Sequence, residues 1–141
     1  MDFRGLAEKY IKRHEGFKQF IYLCTSGKRT IGYGRNLDNR GITIAEAEFL
    51  IRNDIDECEK KLTEKLDFYS SLSDTRKTVL IDMCFNIGIN GLLKFKNMLE
   101  FSRQGEFSKA AIEILKSEYA KQVKNRAIEN AKAYESNTIS V

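Results

Sequence analysis

The apolar residues of this chain change period twice within the first 45 positions, and that change limits the folds open to it. Phe3, Leu6, Ala7, Tyr10 and Ile11 follow the i, i+3, i+4, i+7, i+8 stripe of an amphipathic helix, predicting one over residues 3–14. It should stop at Glu15-Gly16, where glycine offers a C-terminal cap. The run Phe20-Ile21-Tyr22-Leu23-Cys24 is then aromatic and branched, Thr25-Ser26-Gly27-Lys28 is a turn signal, and Thr30-Ile31-Gly32-Tyr33-Gly34 is a second short strand. Together they predict a β-hairpin. Asp38-Asn39-Arg40-Gly41 reads as a loop.

Helical spacing returns with Thr43-Ile44-Ala45-Glu46, which has the spacing of a capping box, and continues to residue 66. Ser73 is placed to cap a helix through Val79, Leu80, Met83, Cys84 and Ile87, broken between Gly88 and Gly91. Further helices are predicted over residues 95–101, 107–115 and 119–134. With no proline anywhere, turn-making falls to Gly, Asn and Asp. The expectation is an α+β fold of one domain spanning residues 1–141. Residues 15–42 would form a small β lobe, 1–14 and 67–135 a helical lobe, and 43–66 a connecting helix. A cleft between two lobes would be the natural ligand site.

Composition narrows the function classes. A length of 141 residues can bury a core without disulfides or metal. The net charge of +4 suits an anionic partner, but the charge is scattered, with no basic block of the kind that binds nucleic acid. Cys24, Cys58 and Cys84 are odd in number and widely spaced, and the only histidine is His14. Neither a disulfide framework nor a zinc site is expected, and no metal or cofactor is predicted. The N-terminal residues contain no apolar signal-peptide core, and no run of about 18 apolar residues suggests a membrane span. The expected location is a reducing cytosol.

Three residues stand out by spacing. Glu15 ends a helix, where the negative end of the dipole disfavours its charged form, as partial burial would too. A proton donor working near neutral pH needs that environment, although an ordinary helix-ending surface glutamate has the same position. Cys24 by itself reads as a half-buried strand cysteine, and Thr30 as an ordinary β-branched strand residue. As a set they run Glu, eight residues, Cys, five residues, Thr, with Ile31-Gly32-Tyr33-Gly34 following.

In that pattern the sequence resembles the phage-type lysozymes, glycoside hydrolase family 24, whose hairpin carries an acid Glu, an Asp or sometimes a Cys, and a Thr within a T-I-G-x-G strand. Asn36-Leu37-Asp38 before Gly41-Ile42-Thr43, the stretch Leu80-Ile81-Asp82-Met83-Cys84-Phe85-Asn86-Ile87-Gly88, the segment Phe95-Lys96-Asn97-Met98-Leu99 and the final Asn125-Arg126-Ala127 extend it over residues 3–133. Cys24 replaces the commoner Asp, Arg35 stands where many relatives carry His, and Glu113 where some carry an amide.

The resemblance implies a lysozyme-like fold and an N-acetylmuramidase acting on peptidoglycan, with no cofactor. Glu15 would be the general acid, and Cys24 and Thr30 would position water or supply the nucleophile. Arg126 would support Glu15, while Gly34, Phe85 and Asn86 would line the sugar site. It further implies an endolysin: a monomer with no nucleic-acid partner and no stable membrane insertion, held in the host cytoplasm until a holin releases it to the periplasm and wall. Two other readings compete. One is a catalytically inactive peptidoglycan-binding homologue that lost turnover through Cys24. The other is membrane disruption by the basic helix of residues 121–132.

Overall fold

The computed structural model describes residues 2–141. Its contacts divide the chain into two compact units, Met1–Phe49 and Leu50–Val141.

The first unit opens with α1, Phe3–Glu15. The Asp2 carboxylate accepts from the Gly5 amide at 2.8 Å, satisfying one of the free donors of the first turn. Gly16 ends the helix at φ 69°, its N–H donating to the Lys12 carbonyl. The predicted hairpin is present as β1, Lys18–Leu23, and β2, Arg29–Gly32. They pair antiparallel with Tyr22 opposite Thr30 and Leu23 opposite Arg29, and the register slips between Lys18 and Tyr22. A two-residue strand β3, Arg35–Asn36, adds to the far edge of β2, so the sheet order is β1-β2-β3.

Two local expectations change here. Tyr33 and Gly34 belong to a turn, because Gly32 at φ 71° and Gly34 at φ 76° leave the extended region and fold the chain back into β3. The segment read as a loop is a single helical turn, α2, Leu37–Arg40, capped by the Asn36 side chain on the Asn39 amide at 3.0 Å.

Helix α3, Ile44–Lys65, begins with the predicted capping box. The Glu46 amide donates to the Thr43 hydroxyl at 3.1 Å, and the Thr43 amide donates back to the Glu46 carboxylate at 2.8 Å. The boundary between the two units falls inside this helix.

The second unit is helical throughout. After a 3-10 turn at Tyr69–Ser71 come α4 (Asp74–Leu93), α5 (Lys96–Arg103), α6 (Phe107–Leu115), α7 (Glu118–Gln122) and α8 (Lys124–Ser136). Ser73 caps α4 as expected, accepting from the Arg76 amide at 3.2 Å. The expected break in α4 lies at Gly88 alone, φ 78° and ψ 164°, and helical hydrogen bonding resumes as far as Leu93. The single helix predicted over residues 119–134 is two, because Val123, at φ −128° and ψ 51°, interrupts it. Helix α6 packs on α5 and α8, and α4 packs on α8. Leu62, Leu80, Met83, Leu92, Met98, Ile114 and Tyr134 are fully buried at the centre. Among the described residues no single helix is long and apolar enough to cross a membrane. The fold is α+β, with one small antiparallel sheet preceding a helical body.

Candidate active site

Glu15 is the last residue of α1, and its side chain folds over the β2–β3 turn. A Cβ built on Gly34 would lie 2.6 Å from Glu15 Oε2 and 2.7 Å from its Cδ. Only a residue without a side chain leaves room for the carboxyl there, and only glycine readily takes Gly34's positive φ. Glu15 is exposed. Its carboxyl lies against the Gly34 turn.

Cys24 and Thr30 sit at the turn end of the same hairpin. The Cys24 amide donates to the Lys28 carbonyl at 3.0 Å, and the Gly27 amide donates to the Cys24 carbonyl at 2.8 Å, closing the turn. Cys24 Sγ lies 3.1 Å from Ser26 Oγ. That hydroxyl, with hydrogen bonds from the Lys28 and Ser26 backbone, outweighs the cost of partial burial and pulls the thiol down to about 7. The sequence offered no activator for this cysteine; the turn supplies one, two residues away, as an uncharged donor. Thr30 is the one buried polar side chain of the first unit among the described residues, 3 % exposed. Its hydroxyl donates to the Lys28 carbonyl at 2.9 Å, which commits its proton and leaves its lone pairs free to accept.

Arg35 carries an interaction that the sequence reading missed. Its guanidinium bonds both oxygens of Glu46, at 3.0 and 2.5 Å, and the Gly41 carbonyl at 3.0 Å. Arg35 therefore ties β3 to the first turn of α3. The Thr43 amide and then Arg35 hold the Glu46 carboxyl at about 2. The nearest signal for the pair was the capping box, which fixed where Glu46 points. Arg29 makes a similar clamp, with its backbone amide and side chain both donating to Asp38 of α2.

The other candidates lie in the second unit. Phe85 and Asn86 are exposed near the end of the first part of α4, just before the Gly88 break. Phe85, 47 % exposed, lies outside the core. Arg126 was expected to support Glu15. Within its own unit its partner is Asp82, which it bonds in a two-pronged pair at 2.9 and 2.7 Å. Asn130 donates to Asp82 and to the Tyr119 hydroxyl, both at 2.9 Å, tying α4 to α7 and α8. Burial opposes ionisation of Asp82, but the Arg126 and Asn130 hydrogen bonds prevail and its carboxyl stays below the usual range. The residues at 82 and 126 are too far apart in sequence for spacing to have revealed the pair. Among the described residues no cluster of His, Cys, Asp or Glu is arranged to hold a metal ion.

Comparison with known proteins resolves what the geometry belongs to. The phage lysozyme family matches residues 12–135, which takes in Glu15, the hairpin and nearly all of the helical unit. The chain belongs to the phage lysozyme family. It is 27 % identical to a probable T4-type lysozyme of Dictyostelium discoideum, over 92 % of this chain and 94 % of the relative. It is 31 % identical to an endolysin of Acyrthosiphon pisum secondary endosymbiont phage 1, over 79 % and 76 % of the two chains. An endolysin of Bacillus phage B103 is 32 % identical over 75 % of this chain and 41 % of its own length. This phage lysozyme family member is thus a lysozyme-type peptidoglycan hydrolase, with the α+β lysozyme-like fold.

Proposed function

We propose that this lysozyme hydrolyses the β-1,4 bond from N-acetylmuramic acid to N-acetylglucosamine, with Glu15 as general acid. The observation that carries the reading is the seating of the Glu15 carboxyl against Gly34, on the hairpin that bears Cys24 and Thr30. Cleavage of a glycosidic bond requires a proton on the leaving oxygen and a nucleophile at the anomeric carbon. Glu15 gives the proton. Thr30, its own proton committed to Lys28, accepts a hydrogen bond from a water molecule and orients it. Cys24, ionised in part near neutral pH, removes that water's proton as its oxygen joins the anomeric carbon. The outcome is inversion, and the proton on Cys24 returns to Glu15 through solvent. Phe85 and Asn86 serve as glycan contacts, an aromatic face for a sugar ring and an amide for an N-acetyl group.

The biological role we infer is host-cell lysis by a monomeric endolysin, held in the host cytoplasm until a holin opens the membrane. The two phage relatives named endolysin support it.

Clearing of outer-membrane-stripped cells tests the division of labour. Glu15→Gln is expected to abolish clearing, while Cys24→Ser retains a measurable fraction, because Thr30 still orients the water. Equal and complete loss in both variants, with a covalent glycosyl adduct on Cys24 in the parent, would make Cys24 an obligatory nucleophile and replace inversion with a covalent glycosyl intermediate.

A further inference from the structure

The hairpin that follows Glu15 exposes two aromatic rings that the proposed chemistry leaves unused. Gly16, at φ 69°, ends α1, and Phe17 is the first residue beyond it. Lys18 at the start of β1 lies opposite Gly32 at the end of β2, so the residues just outside that pair, Phe17 and Tyr33, meet at the open end of the hairpin. Their ring centroids are 5.6 Å apart, with the planes tilted by 49°. Lys12, in the last turn of α1, places its ammonium over the Tyr33 ring, 5.2 Å from the centroid. The tilt leaves surface of both rings open: Phe17 is 63 % exposed and Tyr33 46 %. Apolar ring surface held against water costs free energy that the apolar face of a ligand can recover. The other exposed phenylalanines of this unit, Phe3, Phe20 and Phe49, pair with no second ring among the described residues.

The place of the pair sets it apart. Tyr33 directly precedes Gly34, whose Cβ position lies 2.6 Å from Glu15 Oε2, and Phe17 follows Glu15 across Gly16. The acid and the two rings are thus positioned by the same glycines at positive φ, Gly16, Gly32 and Gly34. A general acid must come within about 3 Å of the glycosidic oxygen that it protonates. A sugar ring bonded to that oxygen then lies beside the residues that flank the acid. Such a ring presents a face of C–H groups, which buries well against an aromatic side chain.

We propose that Phe17 and Tyr33 form a stacking platform for the sugar ring adjoining the scissile bond, holding it where Glu15 reaches the leaving oxygen. The inference rests on the reading of Glu15 as the general acid. The platform recognises the glycan itself, not the peptides attached to it, because what it offers is ring surface for a C–H face. It takes no part in the proton transfer. The rings touch the sugar alike before and during bond breaking, so their contribution falls on substrate binding and leaves the chemical step unchanged.

The test uses the full chain and soluble, peptide-free glycan strands of alternating N-acetylglucosamine and N-acetylmuramic acid. Phe17→Leu and Tyr33→Leu keep apolar bulk but remove a ring. Each should raise KM about 3- to 10-fold, the size of one aromatic contact, with kcat near the parent's and the thermal midpoint unchanged. Tyr33→Phe, which keeps the ring, should keep the parent's KM. The chain has no tryptophan, so Phe17→Trp in a Glu15→Gln background supplies a single reporter on the platform. Its emission should move to shorter wavelength, to saturation, as strands are added. Adding Tyr33→Leu to that chain should shift the titration midpoint to higher strand concentration. An unchanged KM in both leucine variants, a loss confined to kcat, or an emission that the strands leave unaltered would overturn the platform. Strand cleavage by Glu15→Gln would instead overturn the acid, an outcome that the KM comparison reads separately.

Discussion

The two units of this lysozyme are built on different principles. In the first, Met1–Phe49, Thr30 is the one fully covered side chain among the described residues. Its shape comes from directed bonds: the Asp2 and Asn36 caps, the Thr43–Glu46 box, the Arg29–Asp38 and Arg35–Glu46 clamps, and glycines at positive φ. In the second, Leu50–Val141, the core runs from Cys58 to Tyr134, and the polar network around Asp82 is one feature within a mostly apolar interior. Directed bonds fix angles, whereas apolar burial fixes stability with little regard to direction. On the proposed mechanism, the helix end and hairpin that aim Glu15, Cys24 and Thr30 are better served by the first kind of construction.

That contrast predicts that changes in the first unit act on rate and changes in the second act on stability. The sharpest case is Glu15→Gln, which should lower the hydrolysis rate by about 10²–10⁴-fold, the contribution expected of a general acid, while the thermal midpoint stays where it was. Next comes Gly34→Ala. The new methyl would collide with the Glu15 carboxyl and force alanine to positive φ. Displacing the acid should reduce the rate on the order of 100-fold, with a stability loss of about 1–2 kcal/mol measured by denaturant titration.

Leu80→Ala, at a site with no exposed surface, should do the opposite. It is expected to cost about 2–5 kcal/mol in stability, yet leave the rate near that of the parent well below the melting temperature. A Leu80→Ala chain that stays folded but loses activity would break the comparison.

The smallest effect is on acid stability. Glu46 has a folded value of about 2, below the roughly 4.3 of an unfolded glutamate. Its bonds therefore stabilise the fold fully above the unfolded value, and that contribution disappears as pH falls toward 2. Glu46→Gln should flatten the fall in melting temperature between about pH 4 and pH 2, and leave the slope above pH 5 unchanged.

What the sequence made legible was local. The α1 stripe, the Thr25–Lys28 turn, the capping box and the Ser73 cap each depend on residues within about four positions, and each is found in the structure. The Glu15, Cys24 and Thr30 pattern stood out only through the resemblance to the phage-type lysozyme hairpin, and all three lie within one helix end and one hairpin. The unread features depend on distance or on a weak signal. Arg35 and Glu46 meet only because the chain turns through α2, and Asp82 meets Arg126 across 44 positions. The break at Val123 has no glycine or proline to announce it, and the lowered Cys24 thiol depends on hydrogen bonds that appear only once the turn closes.

The central claim is that Glu15 delivers the proton that breaks the muramyl bond. End-group analysis of purified peptidoglycan, digested in parallel by the parent chain and by folded Glu15→Gln, tests it directly. The account predicts new reducing ends on N-acetylmuramic acid from the parent and almost none from the variant. Comparable ends from both, or anhydro-muramic ends from the parent, would contradict it.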